Sequence, residues 1–463
     1  DGRYPFGDMG GGALGTAGYG RTHVNIPTGG FTYAFSPTFL WDGVFGYTRF
    51  DQQVTGVQPN KNVGLDVWGI PGTNGGVKYK DDIFNYGGVP AVTGFGFSDW
   101  GETSTWIPVE RHERTYEFRT NFAKISGAHE LRWGFEPRRL EMNHWQPETA
   151  NPRGVISFAG GATTFVGQTN TTAQNSYAAA LLGLIGSYNK SIQYLLMKTR
   201  EWQLGWYVGD RWHVSRNLTL TLGLRYEYYP LINRGDRGIE QWNPYTNIVS
   251  LGGINNVSNG ITVSKRLFAP RLGFAWRVSD KWVVRSGYGI TYDPMPFSRP
   301  LRGQYPSTIT ASWNTSLPEA VNTDSRTGWY NSVNQGIPEV PVPDISKGTL
   351  TLPLNIDMGP RSPWGGELHR GYIQSFNFTI ERQLPWEAVA NVAYVGTRTI
   401  HQLLDIDINT AGPGTGLNSA TILANLPLAK LYGRTNGANM WDGWAVGKYN
   451  SLQASLNKSF SKG

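Results

Sequence analysis

The chain has 463 residues, with 41 Lys and Arg against 34 Asp and Glu, and it contains no cysteine. The lack of cysteine excludes a disulfide scaffold, a thiolate zinc site, an iron–sulfur cluster and a cysteine nucleophile. A net charge of +7 is too small at this length to indicate nucleic acid binding, and an aromatic content of 13% excludes a disordered chain. The longest nearly apolar run, 178–186, is too short for a membrane-spanning helix, which needs ~20 residues.

Segments in which polar and apolar residues alternate with a period of two predict β-strands. The predicted strands are 31–36, 39–50, 114–125, 130–143, 200–213, 218–229, 268–278, 282–293, 371–382, 388–397 and 447–459. Short connections join them in pairs at 37–38, 126–129, 214–217, 279–281 and about 384–386. The other connections are long and cover 51–113, 144–199, 230–267, 294–370 and 399–446. This regular succession of short turns and long loops is typical of outer-membrane β-barrels.

Each predicted strand has one apolar face and one polar face, because side chains alternate between the two faces of a sheet. The apolar face, predicted to contact lipid, carries Trp202, Leu204, Trp206, Trp212, Leu218, Leu220, Leu222, Leu224, Tyr226, Tyr228, Trp282, Tyr288 and Tyr292, with Asp210 as an exception. The polar face, predicted to line a lumen, carries Arg225, Glu227, Arg271, Arg285 and Asp293. We expect the arginines of this face to pair with carboxylates in cross-strand ladders rather than to attract an anionic solute.

Alternation alone also fits a soluble β-sandwich, but the strand length favours lipid. Globular strands usually have ~5–6 residues, and these are about twice as long. The ten residues between Trp202 and Trp212 extend ~33 Å, which at a tilt of ~40° covers the ~25 Å apolar band of a barrel. The sequence therefore predicts an all-β fold: an antiparallel up-and-down transmembrane β-barrel with short periplasmic turns and long extracellular loops, located in the bacterial outer membrane.

The predicted domain organisation is a Gly-rich loop or linker over residues 1–30 followed by a barrel segment over residues 31–463. Eleven strands is an odd number, whereas bacterial single-chain barrels have an even number. We therefore expect that the barrel continues beyond residue 463 or that another chain supplies the missing wall. The chain starts without an initiator methionine or a signal peptide, so we expect it to be processed or a fragment.

Motifs for catalysis or for cofactor binding are incomplete throughout the sequence. Gly10, Gly12 and Gly15 fit G-x-G-x-x-G but follow no hydrophobic strand, so a flexible loop is the better interpretation. Glu110, His112 and Glu113 form either a metal site or, as we favour, a solvated charge cluster near a rim. Asp405, Asp407 and Asn409 begin like a calcium loop but lack its glycine and glutamate; a loose calcium site in the 399–446 loop remains an alternative. We predict no catalytic residue, no cofactor and no metal.

The nine tryptophans of the long loops leave two interpretations open. They are Trp68, Trp100, Trp106, Trp242, Trp313, Trp329, Trp364, Trp441 and Trp444. Exposed aromatic side chains on loops bind sugars or protein partners, and buried ones form a core for the loops themselves. The segment 176–186 predicts a short helix or a cap at the rim.

Five stretches resemble the barrel of the Oar-like TonB-dependent outer-membrane receptors. They are FSPTFLWDGVFGYTRF (35–50), EWQLGWYVGDRWHVSRNLTLTLGLRYEYYP (201–230), LFAPRLGFAWRVSDKWVVRSGYGITYD (267–293), QSFNFTIERQLPWEAVANVAYVGTRT (374–399) and GKYNSLQASLNKSFSKG (447–463), and they keep the family order. The resemblance implies a receptor with an N-terminal carboxypeptidase-regulatory-like domain, a plug domain and a barrel of about 22 or more strands. No plug and no TonB-contacting segment are recognisable in this sequence, so the resemblance implies transport only for the complete receptor.

The partners implied are outer-membrane lipid, a TonB-type energising complex acting through a plug outside this chain, and an unidentified extracellular ligand, with no nucleic acid. The main hypothesis is a non-enzymatic barrel that captures ligand with its loops. The alternatives are a structural surface protein whose loops bind neighbours in the envelope, and a soluble carbohydrate-binding β protein.

Overall fold

The computed structural model of the chain consists mainly of one large antiparallel sheet with three smaller sheets at one end. The structure describes residues 2–3, 19–56, 58–74, 86–102, 106–147, 151–158, 163, 172–295, 304–314, 332–354, 356, 358, 362–385, 387–415 and 418–458. No helix within these ranges combines the length and apolarity needed to cross a bilayer.

The strands along the described residues are, in chain order, β1 (Gly2–Arg3), β2 (Tyr19–Asn25), β3 (Thr28–Ser36), β4 (Phe39–Thr55), β5 (Ala91–Thr93), β6 (Val109–Ser126), β7 (His129–Trp145), β8 (Val155–Ser157), β9 (Ser187–Gln193), β10 (Met197–His213), β11 (Leu218–Tyr228), β12 (Glu240–Asn243), β13 (Ile248–Leu251), β14 (Ile261–Val263), β15 (Leu267–Ser279), β16 (Trp282–Tyr292), β17 (Thr308–Asn314), β18 (Thr349–Thr351), β19 (Ser362–Pro363), β20 (Gly366–Leu368), β21 (Tyr372–Gln383), β22 (Ala388–Asp407) and β23 (Asn439–Lys458). The helices are α1 (Ala173–Leu181), α2 (Ser419–Ala424) and α3 (Pro427–Tyr432), with a π-helical turn at Val63–Val67 and a 3-10 turn at Ile254–Asn256.

The large sheet forms a wall in which neighbours in space are neighbours along the chain. Its long strands follow the order β4, β6, β7, β10, β11, β15, β16, β21, β22 and β23, each antiparallel to the next. Both β2 and β3 pair with β4, and together they make one further wall strand that is interrupted at Pro27. Proline has no N–H to donate to a ladder, but the Pro27 carbonyl still accepts from the Tyr47 N–H at 3.0 Å. The predicted eleven-strand, up-and-down wall is confirmed.

Several wall strands are longer than the sequence pattern predicts, chiefly at the end away from the short turn. The first strand begins at Tyr19 instead of Phe31, so residues 19–30, predicted as part of a linker, belong to the wall. Strand β22 continues to Asp407 and β23 starts at Asn439. Residues 4–18, which include the G-x-G-x-x-G motif, lie outside the described residues.

The long connections fold together into a loop layer, which comprises the described parts of 56–108, 146–196, 229–266, 293–371 and 408–438. It contains the sheets β5–β8–β9–β17, β12–β13–β18 and β14–β20. One buried core joins residues from all five connections, among them Ile70, Ile185, Val249, Ile309 and Leu428. Trp145 and Met440, at the ends of wall strands, also belong to this core. At the start of β23, residues 440–443 are buried and lose the polar–apolar alternation that marks the middle of each strand, whereas residues 404–407 at the end of β22 stay exposed.

Most loop tryptophans are part of this core, which decides between the two interpretations left open by the sequence. Trp242 and Trp313 are buried in it, and Trp68, Trp364 and Trp444 pack against it. Trp441 is buried in a second, smaller cluster with Ile232 and Leu368. Trp100 and Trp106 are exposed, and Trp329 lies outside the described residues. Helix α1 (Ala173–Leu181) overlaps the first half of the segment 176–186, for which a short helix was predicted.

The wall is an open sheet along the described residues. No ladder joins β23 to β2 or β3 in the part of the chain that the structure describes. Leu452 and Leu456 on β23 are 76% and 67% exposed, and nearly all of β3 is exposed as well. Two long, hydrogen-bond-competent edges are therefore unpaired along most of their length.

Candidate lumen face and loop layer

One face of the wall carries a ladder of ion pairs, and this face is called the polar face below. The ladder runs across β6, β7 and β11 and consists of Glu117, Arg119, Glu136, Arg138, Arg225 and Glu227. Arg225 donates from Nη1 to Glu136 Oε2 and from Nε to Glu227 Oε1, both at 2.7 Å. Arg119 contacts Glu136 at 3.1 Å and Glu117 at 2.9 Å, and Arg138 contacts Glu117 at 3.0 Å. Each of these arginines thus has at least one carboxylate partner.

A glycine on the intervening strand β10 allows the Arg225 bridge to form. Gly205 lies directly opposite Glu136 on one side and Glu227 on the other. A Cβ atom on Gly205 would stand 2.4 Å from Arg225 Nη2. The guanidinium therefore occupies the space that any other side chain at position 205 would take. It neutralises Glu136 and Glu227 across a position of β10 that carries no side chain.

The other predicted polar-face residues lie on the same face but differ in their partners. Arg285 contacts Glu381 at 3.3 Å. Arg271 and Arg132 border a cavity of about 480 Å³, and neither has an ion pair within 4.0 Å among the described residues. Asp293 follows the end of β16, and its Oδ1 accepts from the Met295 N–H at 2.8 Å.

The opposite side of the wall, called the aromatic face below, carries all thirteen residues predicted to contact lipid. Register places Phe135, Trp206, Tyr226 and Phe268 side by side on four neighbouring strands, with ring centroids 4.9, 5.7 and 5.0 Å apart. Trp202, Trp206, Leu222 and Leu224 are 38–44% exposed. At this degree of exposure, these large apolar side chains have no second protein layer over them among the residues that the structure describes.

Asp210, the exception on the aromatic face, has a partner near the short turn. Its Oδ2 is 2.6 Å from Nδ1 of His129, and the His129 ring stacks on Trp212 at 5.3 Å. From the sequence, His129 was identifiable only as a turn residue. The pairing keeps a carboxylate on an apolar surface hydrogen-bonded, as a poorly solvated acid requires.

The loop layer contains a fully buried charge cluster around Glu240, which no sequence pattern indicated. Arg234 Nη2 contacts Glu240 Oε2 at 2.6 Å and Arg237 Nη2 contacts Oε1 at 2.5 Å. The Ser307 hydroxyl donates to Oε1 at 2.8 Å. Burial by itself would raise the pKa of Glu240, but the two guanidinium groups outweigh it and lower the pKa to about 2. The cluster ties the 229–266 connection to the 293–371 connection.

Among the described residues, the hydrogen-bond partners of a buried lysine, Lys190, are backbone carbonyl groups. Lys190 Nζ on β9 donates to the carbonyl oxygens of Gly72 at 2.7 Å and Asn74 at 3.1 Å. Desolvation lowers the pKa of Lys190 to about 8. This lysine therefore links the first two long connections.

The predicted cluster of Glu110, His112 and Glu113 is wrong in one member. His112 Nε2 contacts Glu110 at 3.0 Å, while its Nδ1 contacts Asp51 at 2.7 Å. Glu113 alternates to the other face of β6, where it pairs with Arg111. Asp51, which is 61 residues away in sequence, takes its place, and only the β4–β6 register could have revealed it. Among the described residues, no three His, Cys, Asp or Glu side chains converge as a metal site.

The residues predicted as the start of a loose calcium loop serve to hold backbone. Asp407 Oδ1 accepts from the N–H groups of Asn409 and Ala438, both at 2.9 Å. Asn409 Oδ1 accepts from the Leu428 N–H at 2.9 Å, near the start of α3. These contacts organise the return of the chain into β23.

Comparison with known proteins identifies one family. The family model described as "Outer membrane beta barrel domain" matches residues 3–463. No curated protein matches the chain. Similar solved structures include the FrpB iron transporter from Neisseria meningitidis (10% identity, TM-score 0.41, covering 96% of this chain and 44% of that one). Another is the siderophore receptor PirA from Pseudomonas aeruginosa (11% identity, TM-score 0.36, covering 94% of this chain and 53% of that one). A third is the siderophore receptor PirA from Acinetobacter baumannii (8% identity, TM-score 0.43, covering 96% of this chain and 43% of that one). The chain thus spans about half the length of these structures.

Replacing Gly205 by alanine tests the ladder. We expect Gly205→Ala to displace the Arg225 guanidinium, so that Glu227 loses its arginine and Glu136 keeps only Arg119, which costs about 1.5–3 kcal/mol for the lost charged hydrogen bonds. The temperature at which the detergent-solubilised protein loses its compact gel mobility should fall. Gly209→Ala is the matched control on the same strand and face, because its Cβ would come no closer than 3.6 Å to any other group. An equal fall of this temperature in both variants would contradict the role of Gly205 in making room for Arg225.

Acid should loosen the loop layer through Glu240. Its folded pKa of about 2 lies below the ordinary value of 4.5, so its contribution of about 3 kcal/mol is complete above pH 5 and is lost as the pH falls towards 2. Hydrogen exchange of peptides around 234–243, corrected for the intrinsic rate, should accelerate between pH 5 and pH 3. Glu240→Gln should exchange faster at pH 6 and lose most of this pH dependence. An unchanged pH slope in the variant would refute the role of Glu240.

Proposed function

Because the chain belongs to the outer membrane β-barrel domain family, and therefore lies in the bacterial outer membrane, we propose that it forms the wall of a TonB-dependent receptor of the Oar-like type. In this proposal the aromatic face contacts lipid and the polar face surrounds a plug domain. The loop layer faces the exterior and captures a ligand, and a TonB-type complex supplies energy through the plug. The outer-membrane location excludes the alternative of a soluble carbohydrate-binding protein.

The observation that carries the proposal is the separation of environments across a single sheet. Large apolar side chains stay uncovered on one face, and charges pair with one another on the other face. A wall with this arrangement fits between acyl chains and an enclosed polar interior. A channel filled only with water would not require such dense cross-strand pairing, whereas packing against a plug favours a neutralised, ordered surface.

The unpaired edges of the wall support closure by additional strands. In lipid, each unsatisfied backbone group costs several kcal/mol, so membrane β-sheets close on themselves. We propose that strands pairing with β23 and with β2–β3 complete the barrel around the plug. The passive wall contributes no catalytic chemistry in this arrangement.

Two neighbouring positions test which medium each face contacts. The chain has no cysteine, so Leu222→Cys and Thr221→Cys each introduce a single labelling site on opposite faces of β11. We expect a fluorophore at 222 to be quenched by nitroxide-labelled lipid and one at 221 to be insensitive to it in reconstituted bilayers. Equal lipid quenching at both positions would contradict the assignment of the faces.

Energised uptake can be tested while the ligand is still unidentified. Spent medium from the source bacterium is compared by mass spectrometry with that of two deletion strains, one lacking this gene and one lacking the energising complex. We expect at least one solute that the parent removes and that both deletions leave behind. If no solute is retained and the gene deletion instead weakens the envelope against detergent, the structural surface-protein alternative is favoured.

A further inference from the structure

A row of arginines crosses the aromatic face of five neighbouring wall strands, towards the loop layer. Its members are Arg21 on β2, Arg49 on β4, Arg114 on β6, Arg139 on β7 and Arg200 on β10. Arg49 lies directly opposite Arg114, and Glu141 lies between Arg114 and Arg200. This juxtaposition of like charges is unfavourable without an anion.

The row stands at the outer limit of the apolar band. Arg49 lies 10 residues from Phe39 at the short turn, and Arg200 lies 13 residues from His213. At ~3.3 Å per residue and a tilt of ~40°, these separations correspond to a height of ~25–33 Å above the turns. Aromatic side chains lie immediately below: Arg139 stacks over Trp202 at 5.2 Å. The arginines are therefore placed at the depth of lipid headgroups.

The carboxylates on this part of the face do not neutralise the row. They are Asp51, Glu110 and Glu141, three against five arginines. Asp51 already accepts from Arg49, Arg114 and His112 at 2.5–2.7 Å. It therefore orients two of the arginines but has no capacity to neutralise the others, and positive charge is left in excess.

A cavity of about 350 Å³ opens beside the row. It is lined by Arg21, His23, Arg49, Asp51, Gln52, Gln53 and Glu110. The Arg21 guanidinium has no ion pair within 4.0 Å among the described residues, and the Arg49 side chain is 45% exposed. Two guanidinium groups with unused donors at one cavity suit a phosphate, which accepts several charge-assisted hydrogen bonds at once.

We propose that this cavity binds the phosphate of an anionic membrane lipid whose acyl chains lie along the aromatic face below it. A lipid is favoured over a free anion because the apolar surface for its chains and the basic site for its headgroup adjoin on one face. Clusters of basic residues at the membrane surface attract anionic lipids in this way. The proposal depends on the outer-membrane location and not on ligand transport, so it stands or fails independently of the receptor function.

Native mass spectrometry of the detergent-purified chain tests this proposal. The probes are phosphatidic acid, phosphatidylcholine with the same acyl chains, and inorganic phosphate. We expect phosphatidic acid to bind more tightly than the other two. The double variant Arg21→Gln with Arg49→Gln should bind it about thirtyfold more weakly, since each of the two basic groups at a membrane surface contributes ~1 kcal/mol and every 1.4 kcal/mol is a factor of about ten. The matched control Arg271→Gln with Arg285→Gln removes the same charge from the polar face and should leave the affinity unchanged.

The single variant Arg21→Gln guards against a folding defect, because this side chain has no ion pair to lose among the described residues. It should keep the heat-sensitive gel mobility of the parent and still bind phosphatidic acid several-fold more weakly. Three results would overturn the proposal: parental affinity in the Arg21→Gln variant, equal binding of both lipids, or inorganic phosphate binding as tightly as phosphatidic acid. The last result would identify the cavity as a site for a free anion.

Discussion

In each wall strand, successive side chains alternate between an apolar face and a polar face, while the backbone hydrogen-bonds to the strand on either side. The rest of the structure depends on this constraint. Because a shift of one residue would move every side chain to the opposite face, the register that stacks Trp206 on Tyr226 also aligns the charges behind them. The aromatic rows and the ion-pair ladder are therefore two results of one hydrogen-bond pattern.

The ladder shows how the charges of the polar face neutralise one another across strands. Arg225 reaches two carboxylates because Gly205 leaves the intervening position empty. Glycine in a strand usually weakens it, but here the missing side chain gives the guanidinium its place. The high glycine content of the sequence thus has at least one specific structural function in the wall.

The alternating segments predicted the wall strands, their order and their faces, because two-residue alternation is a local property of the chain. The same criterion missed Tyr19–Asn25 and the far ends of β22 and β23. Pro27 interrupts the first pattern, and burial of residues 440–443 removes the alternation at the start of β23. Contacts that depend on distant segments were not predictable: Asp51 meets His112 only through the β4–β6 register, and Glu240 meets Ser307 only after two long connections have packed together.

The shared core of the five long connections has a consequence for engineering this protein. Long exterior loops are normally the segments that tolerate insertions and exchanges, but each connection here completes a hydrophobic interior for the other four. Removing or replacing one of them would open that interior to water. Epitope tags and grafted peptides therefore belong in the short hairpins, such as Ser126–His129, at the opposite rim, whereas an antiserum against the outer surface should be raised against the folded assembly of connections rather than against peptides.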